Sequence, residues 1–156
     1  MRLASLIVLA GVAAASPAKA IECAREEIVV LTEPPVTFEI ELAETPDQQA
    51  RGLMFRPQLA RESGMLFVMD PPRFARFWMR NTMISLDLIF IDRAGVVESI
   101  AADAVPYSEQ SLASQNEVRA VFEINGGLAA ELGIQPGTQV IHPIFDEASE
   151  PHRCTR

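Results

Sequence analysis

The chain has 156 residues, of which 21 are Asp or Glu and 13 are Lys or Arg, so its formal net charge is −8. This length is sufficient for one domain with a substantial hydrophobic core. The acidic balance argues against nucleic acid or an anionic membrane surface as a partner, because both carry negative charge. We therefore expect no nucleic-acid partner.

Residues 1–20 have the pattern of a secretory signal peptide. Arg2 precedes an uncharged apolar stretch at residues 3–15, and Ala18-Lys19-Ala20 supplies a small-x-small cleavage site. The apolar stretch is shorter than the roughly 20 residues of a membrane span, and no later stretch is longer. The sequence predicts cleavage near Ala20, a single domain over residues 21–156 without a membrane span, and a periplasmic or extracellular location.

Cys23 and Cys154 lie near opposite ends of the predicted mature chain. Export to an oxidising compartment permits a disulfide between them. Such a bridge would close most of the mature chain into one loop and stabilise it by roughly 4–5 kcal/mol in the chain-entropy model. The alternative is a pair of free thiols at frayed termini. Two cysteines cannot form a four-ligand zinc site, so we predict neither a metal nor a cofactor.

Short β-branched and apolar runs predict eight strands. The run at 86–91 is apolar on both faces, which is typical of a central strand. Asp70-Pro71-Pro72 should end the strand before it, and residues 104–116 are predicted to be irregular. The predicted strands cover residues 26–31, 36–42, 64–69, 75–79, 86–91, 96–101, 118–124 and 138–142.

Two short helices are also predicted. Thr45 can cap the first helix, Pro46 suits its first position, and Gln48 completes a capping box. This helix should end near Gly52, after which residues 53–55 are expected to point inward. The second helix covers 128–132. Many short strands with two small helices indicate a mainly β (α+β), barrel-like fold in one domain.

Six motifs together resemble a known family. They are QARGLM at 49–54, GMLF at 64–67, FWMRNT at 77–82, LDLIFID at 86–92, FEINGG at 122–127 and GIQPG at 133–137. This set resembles the family called domain of unknown function 192, over about residues 36–142. The resemblance implies a small, barrel-like β domain that is often exported in bacteria. It implies no activity.

A candidate site surrounds the polar break between two strands, where Asn81 and Thr82 interrupt β-prone sequence. Trp78 shares a strand face with two arginines, so we expect it to be partly exposed. Asp87 lies within an apolar run, where an ionised carboxylate needs a partner, and we expect Arg51 at the end of the first helix to supply one. We predict that six residues form one concave ligand site. The predicted site residues are Arg51, Trp78, Asn81, Thr82, Asp87 and Glu123.

Three functional interpretations remain open on these residues. The favoured one is a cell-envelope binding module whose polar pocket takes a small ligand or a segment of an envelope protein. The first alternative is an enzyme that acts on a saccharide-like substrate through Asp87 and Glu123, as an acid and base pair. The second alternative is a purely structural or interaction protein. The binding module is favoured because no nucleophile or acid–base set is complete.

Overall fold

The computed structural model describes residues 21–145 and 154–155. As predicted, the chain is mainly β, with a seven-stranded mixed sheet curled into a half-barrel and two short helices. The strands are β1 (Ile21–Glu22), β2 (Glu27–Val30), β3 (Val36–Ala43), β4 (Ser63–Phe77), β5 (Leu86–Ile91), β6 (Val97–Ala104), β7 (Leu112–Asn125), β8 (Val140–Ile141) and β9 (Cys154–Thr155). The helices are α1 (Pro46–Arg51) and α2 (Leu128–Glu131).

The strand order in the main sheet is β6-β5-β7-β4-β3-β2-β8. The β3–β4 pair is parallel and the other neighbouring pairs are antiparallel. β1 and β9 form a separate parallel pair. The predicted disulfide is confirmed: Cys23 and Cys154 are bonded, with their Cα atoms 5.6 Å apart. No helix in the described part of the chain is long and apolar enough to cross a membrane.

The centre of the sheet is buried on both faces, because a hydrophobic cluster lies against each, whereas one face of β3 is exposed. All six residues of β5 are buried, which confirms the predicted central strand between β6 and β7. Strand alternation sends Ile89 and Ile91 into one cluster and Leu86, Leu88 and Phe90 into the other. A one-residue difference in position therefore decides which face of the sheet a side chain occupies.

The predicted break at Asp70-Pro71-Pro72 is wrong, because β4 continues through these residues to Phe77. Its pairing with β7 shifts register between Val68 and Arg73, so the prolines occupy a bulge and need no ladder hydrogen bond. The Arg119 guanidinium donates to the Met69 carbonyl oxygen at 3.0 Å and lies 3.2 Å from an Asp70 oxygen. These contacts stabilise the bulge and allow β4 to extend toward the candidate site.

Two other expectations are wrong. Phe55 was expected to point inward, yet it is 63% exposed, with φ at +63°. Residues 112–116 were expected to be irregular, but they begin β7 because Leu112 and Ala113 pair with the extended end of β4. The predicted signal peptide, residues 1–20, and most of the polar tail lie outside the described residues.

The predicted capping box of α1 is confirmed. The Thr45 hydroxyl oxygen accepts a hydrogen bond from the Gln48 backbone N–H at 3.3 Å. In return, the Gln48 side-chain oxygen accepts from the Thr45 backbone N–H at 2.9 Å. The box satisfies two of the unpaired N–H groups at the start of a helix of only six residues. It fixes where α1 begins, and so where its last turn presents Arg51.

Candidate functional site

A cleft of about 330 Å³ opens between α1 with its following loop, the end of β4 and residues 78–82. We call it the α1 cleft. Four of the six predicted site residues line it, namely Arg51, Trp78, Thr82 and Glu123. They come from separate parts of the chain. The extension of β4 past its bulge places the end of this strand next to α1, and the cleft lies between them.

Glu123 is the buried polar residue of this cleft. It lies on β7, opposite Met65 on β4 and Leu88 on β5, and it is only 5% exposed. No hydrogen-bond donor or cation among the described residues reaches its carboxyl group, and burial alone raises its pKa to about 8. The carboxyl is therefore protonated at neutral pH, and it can donate one hydrogen bond and accept others from a ligand.

Asp87 does not belong to the cleft. Its oxygens accept hydrogen bonds from the backbone N–H groups of Asp103, Gly127 and Ala129 at 2.8–3.0 Å. The side chain is fully buried, where it caps the start of α2 and secures β6. The predicted meeting of Asp87 with Glu123 is wrong, because Asp87 pairs with Ile124, the next residue of β7, and so points to the opposite face of the sheet.

The expected ion pair between Arg51 and Asp87 is wrong for the same reason. Arg51 is exposed at the mouth of the α1 cleft, and no carboxylate among the described residues pairs with it. Arg73 and Arg76 of β4 line the same cleft and are also exposed. Arg73 donates to the Gln49 side-chain oxygen at 3.0 Å, which ties it to α1. The mouth is therefore cationic.

Trp78 is 50% exposed, as the strand alternation predicted, and the Arg80 guanidinium carbon lies 5.6 Å from its ring centroid. Thr82 is buried, and its hydroxyl donates a long hydrogen bond, 3.4 Å, to the Arg80 carbonyl oxygen. Asn81 is beside the cleft rather than in its lining. Its φ is +56°, and its side-chain nitrogen lies 3.9 Å from the sulfur of Met54, which does line the cleft.

The sequence interpretation missed Arg73 and Arg76 as site residues. The signal for Arg76 was present, because alternation placed it on the same face as Trp78. No comparable signal existed for Arg73, because the two prolines before it predicted the end of the strand. The bulge that absorbs those prolines is a tertiary feature.

The cleft combines three chemical environments. Its floor holds a neutral carboxyl group, at Glu123. Its walls are apolar, with Leu53, Phe67 and Met69 each no more than 3% exposed. Its mouth is cationic and carries exposed aromatic rings. No group of three or more His, Cys, Asp or Glu residues within the described ranges has the arrangement of a metal site.

The fold and the cleft define a small half-barrel β domain with a recess, the α1 cleft, whose lining is partly polar and partly apolar. The chain belongs to the family of the domain of unknown function 192, described as "Uncharacterized ACR", whose family model matches residues 28–142. The resemblance found in the motifs is thereby confirmed. No curated protein matches the chain.

Two solved structures are similar over most of the described residues. A protein of unknown function from Novosphingobium aromaticivorans is 51% identical, with a TM-score of 0.71, and the match covers 73% of this chain and 82% of that one. A Sinorhizobium meliloti protein described as a "putative transcription regulator" is 35% identical, with a TM-score of 0.72, over 78% of this chain and 96% of that one. Both similarities support the fold.

Proposed function

We propose that this domain is a binding module of the cell envelope, and that the α1 cleft takes a small polar ligand. The observation that carries the proposal is the Glu123 carboxyl group, which is 5% exposed and lines the cleft without a partner among the described residues. Its unpaired oxygens are not sealed from the cleft, so a ligand can reach them. A hydrogen bond made there would contribute roughly 0.5–1.5 kcal/mol.

The envelope location is supported by two features. The first is the predicted leader with its cleavage site near Ala20. The second is the Cys23–Cys154 disulfide, because disulfides persist in oxidising compartments. Intact-mass measurement of the periplasmic fraction tests this part of the proposal: the expected mature chain starts at Ile21, and a species that still begins at Met1 would contradict it.

The other interpretations have less support. A two-carboxylate glycosidase requires both groups within roughly 5–9.5 Å on either side of one bond, whereas Asp87 and Glu123 face opposite sides of the sheet. A purely structural role leaves the unpartnered Glu123 without an explanation. A DNA-binding role, which the description of the Sinorhizobium protein would imply, is disfavoured by the net charge of −8.

Trp78 is the single tryptophan of the chain and lies at the cleft, so its fluorescence reports directly on occupancy. We expect compounds from a library of small polar metabolites to change this emission. Ala50→Phe should abolish the response, because Ala50 is an exposed residue of α1 that lines the cleft, and a phenyl ring there would fill it.

Ala130→Phe is the matched control, because Ala130 is an exposed alanine of the other short helix. It should respond as the wild-type protein does. A library with no compound that changes the emission would contradict the proposed function. So would a response that persists in Ala50→Phe.

A further inference from the structure

We propose that the ligand of the α1 cleft is a small organic oxyanion, whose carboxylate or phosphate group is bound by Arg51, Arg73 and Arg76 while its apolar part enters the cleft. This inference rests on the proposed function and adds the chemical class of the ligand.

The three cleft arginines differ from most others in the described chain. Five arginines elsewhere each have a nitrogen 2.5–3.9 Å from an Asp or Glu oxygen. None of the three at the cleft has such a partner among the described residues. The paired arginines are Arg25, Arg56, Arg61, Arg80 and Arg119, and their partners are Glu44, Glu41, Glu131, Glu109 and Asp70.

This difference is notable because acids outnumber bases in the chain, 21 to 13. With so many carboxylates available, three neighbouring arginines without one create a local positive field on an otherwise negative protein. A recess lined by one sign of charge raises the local concentration of ligands of the opposite sign. Guanidinium groups bind planar carboxylates and phosphates through paired N–H donors, so an oxyanion is the matching class of ligand.

Arg73 is also held in place before any ligand arrives. It donates to the Gln49 side-chain oxygen, and the Gln49 side-chain nitrogen donates to the backbone oxygens of Ala43 and Val68 at 3.2 and 2.8 Å. This chain of bonds links the guanidinium to two strands of the sheet. An arginine fixed in this way loses less conformational entropy when it binds an anion.

Among the described residues that line the cleft, the single acid, Glu123, does not neutralise these arginines. Glu123 lies at the floor, is only 5% exposed, and is uncharged at neutral pH. It therefore does not repel an anionic ligand, and its O–H can donate a hydrogen bond to an acceptor on the buried part of that ligand. The cleft remains cationic at its mouth and neutral at its floor.

The walls determine the rest of the ligand. Leu53, Phe67 and Met69 contribute apolar lining, and Phe74 and Trp78, 61% and 50% exposed, offer ring faces at the mouth. A volume of about 330 Å³ is at the lower end of the range for small-molecule sites. A compact, largely apolar or aromatic body with one oxyanionic group at the mouth and a hydrogen-bond acceptor near Glu123 fits this arrangement.

Titration of Trp78 fluorescence at low ionic strength and about pH 7 tests the inference. The probes are phenyl phosphate and benzoate, with benzamide as the uncharged analogue and inorganic phosphate as the group without an apolar body. We expect both organic anions to bind at least about tenfold more tightly than benzamide. Their affinity should also fall as salt is added, because salt screens exposed charges. The ratio of phenyl phosphate to benzoate affinity distinguishes phosphate from carboxylate ligands.

Arg51→Gln and Arg76→Gln should each weaken anion binding by roughly tenfold and leave benzamide binding unchanged. Both side chains are exposed, so the fold should tolerate the substitutions, and the melting temperature checks that it does. Arg61→Gln is the matched control, because it removes the same charge from a surface away from the α1 cleft. It should leave anion affinity within about twofold of wild type.

The outcomes separate the ligand class from the proposed function. Benzamide binding as tightly as benzoate would overturn the oxyanion inference, as would an equal loss of anion affinity in Arg61→Gln. In both cases the proposed function survives if Ala50→Phe still abolishes binding. Inorganic phosphate binding as tightly as phenyl phosphate would overturn the role of the apolar walls. If no probe changes the Trp78 fluorescence, or if the change persists in Ala50→Phe, both proposals are overturned.

Discussion

Replacing Glu123 with glutamine should make the protein more stable, and the gain should depend on pH. Burial raises the pKa of the Glu123 carboxyl from its ordinary value of 4.5 to about 8. Below pH 4.5 the carboxyl is protonated in both the folded and the unfolded chain, so it imposes no penalty. Between pH 4.5 and about 8 only the unfolded chain ionises, so stability falls as the pH rises. Above about pH 8 both states are ionised and the penalty stays constant.

The size of the effect follows from the two pKa values. Each pH unit between them changes the free energy of unfolding by about 1.4 kcal/mol. From 4.5 to about 8 the full penalty is therefore roughly 5 kcal/mol, and about 3 kcal/mol of it is present at neutral pH. Glutamine has nearly the same shape and no ionisable proton, so Glu123→Gln should remove most of this penalty. At acidic pH the variant and the wild-type protein should be equally stable within about 1 kcal/mol.

Urea denaturation across this pH range measures the difference, with the slope against urea checked for constancy. Glu117→Gln is the matched control, because Glu117 lies on the same strand and is exposed. Its difference from wild type should stay near zero at every pH. A Glu123→Gln difference that does not grow between acidic and alkaline pH would refute the reasoning, because it would mean that the folded protein solvates the Glu123 carboxylate.

Four further substitutions test stability. Asp87→Asn should cost about 1–3 kcal/mol in urea denaturation, because the amide nitrogen that replaces one oxygen cannot accept from the backbone N–H groups that hold Asp87. Asp92→Asn should cost under about 1 kcal/mol, because a single oxygen of Asp92 accepts both of its hydrogen bonds and asparagine keeps an oxygen there. Equal losses of stability in Asp87→Asn and Asp92→Asn would contradict this reasoning. Gly64→Ala should lower the melting temperature strongly, because the new Cβ would lie 2.4 Å from the Phe122 ring, and an unchanged melting temperature would contradict it. Thr45→Ala should lower the free energy of unfolding by about 1 kcal/mol through loss of the α1 cap. When it is combined with Asp87→Asn, the two losses should add.

A carboxyl group that destabilises the folded chain at neutral pH is consistent with a binding role. Stability and function compete where a site must keep polar groups unpaired so that a ligand can use them. The same reasoning applies to the arginines at the mouth of the α1 cleft, which have no carboxylate partner among the described residues. An oxyanion bound there would supply charge-assisted hydrogen bonds to them.

Local chemistry along the sequence determined the secondary structure to a large extent. The Thr45 capping box, the central strand at 86–91 and the two short helices are each properties of neighbouring residues, and each formed as predicted. The family and the disulfide were also accessible, because motif spacing and cysteine placement are read directly from the chain. Alternation correctly predicted that Trp78 is partly exposed.

The tertiary structure alone decided which residues share a site. Asp87 and Glu123 both lie in apolar strands, and their separation onto opposite faces depends on the register between β5 and β7, where one residue changes the face. Arg73 reaches the cleft because Arg119 stabilises a bulge that carries two prolines within β4, an interaction between distant parts of the chain. Local propensity describes single strands, whereas register and bulges arise from pairing between strands. The sequence therefore indicated some of the residues that line the cleft but not the full set.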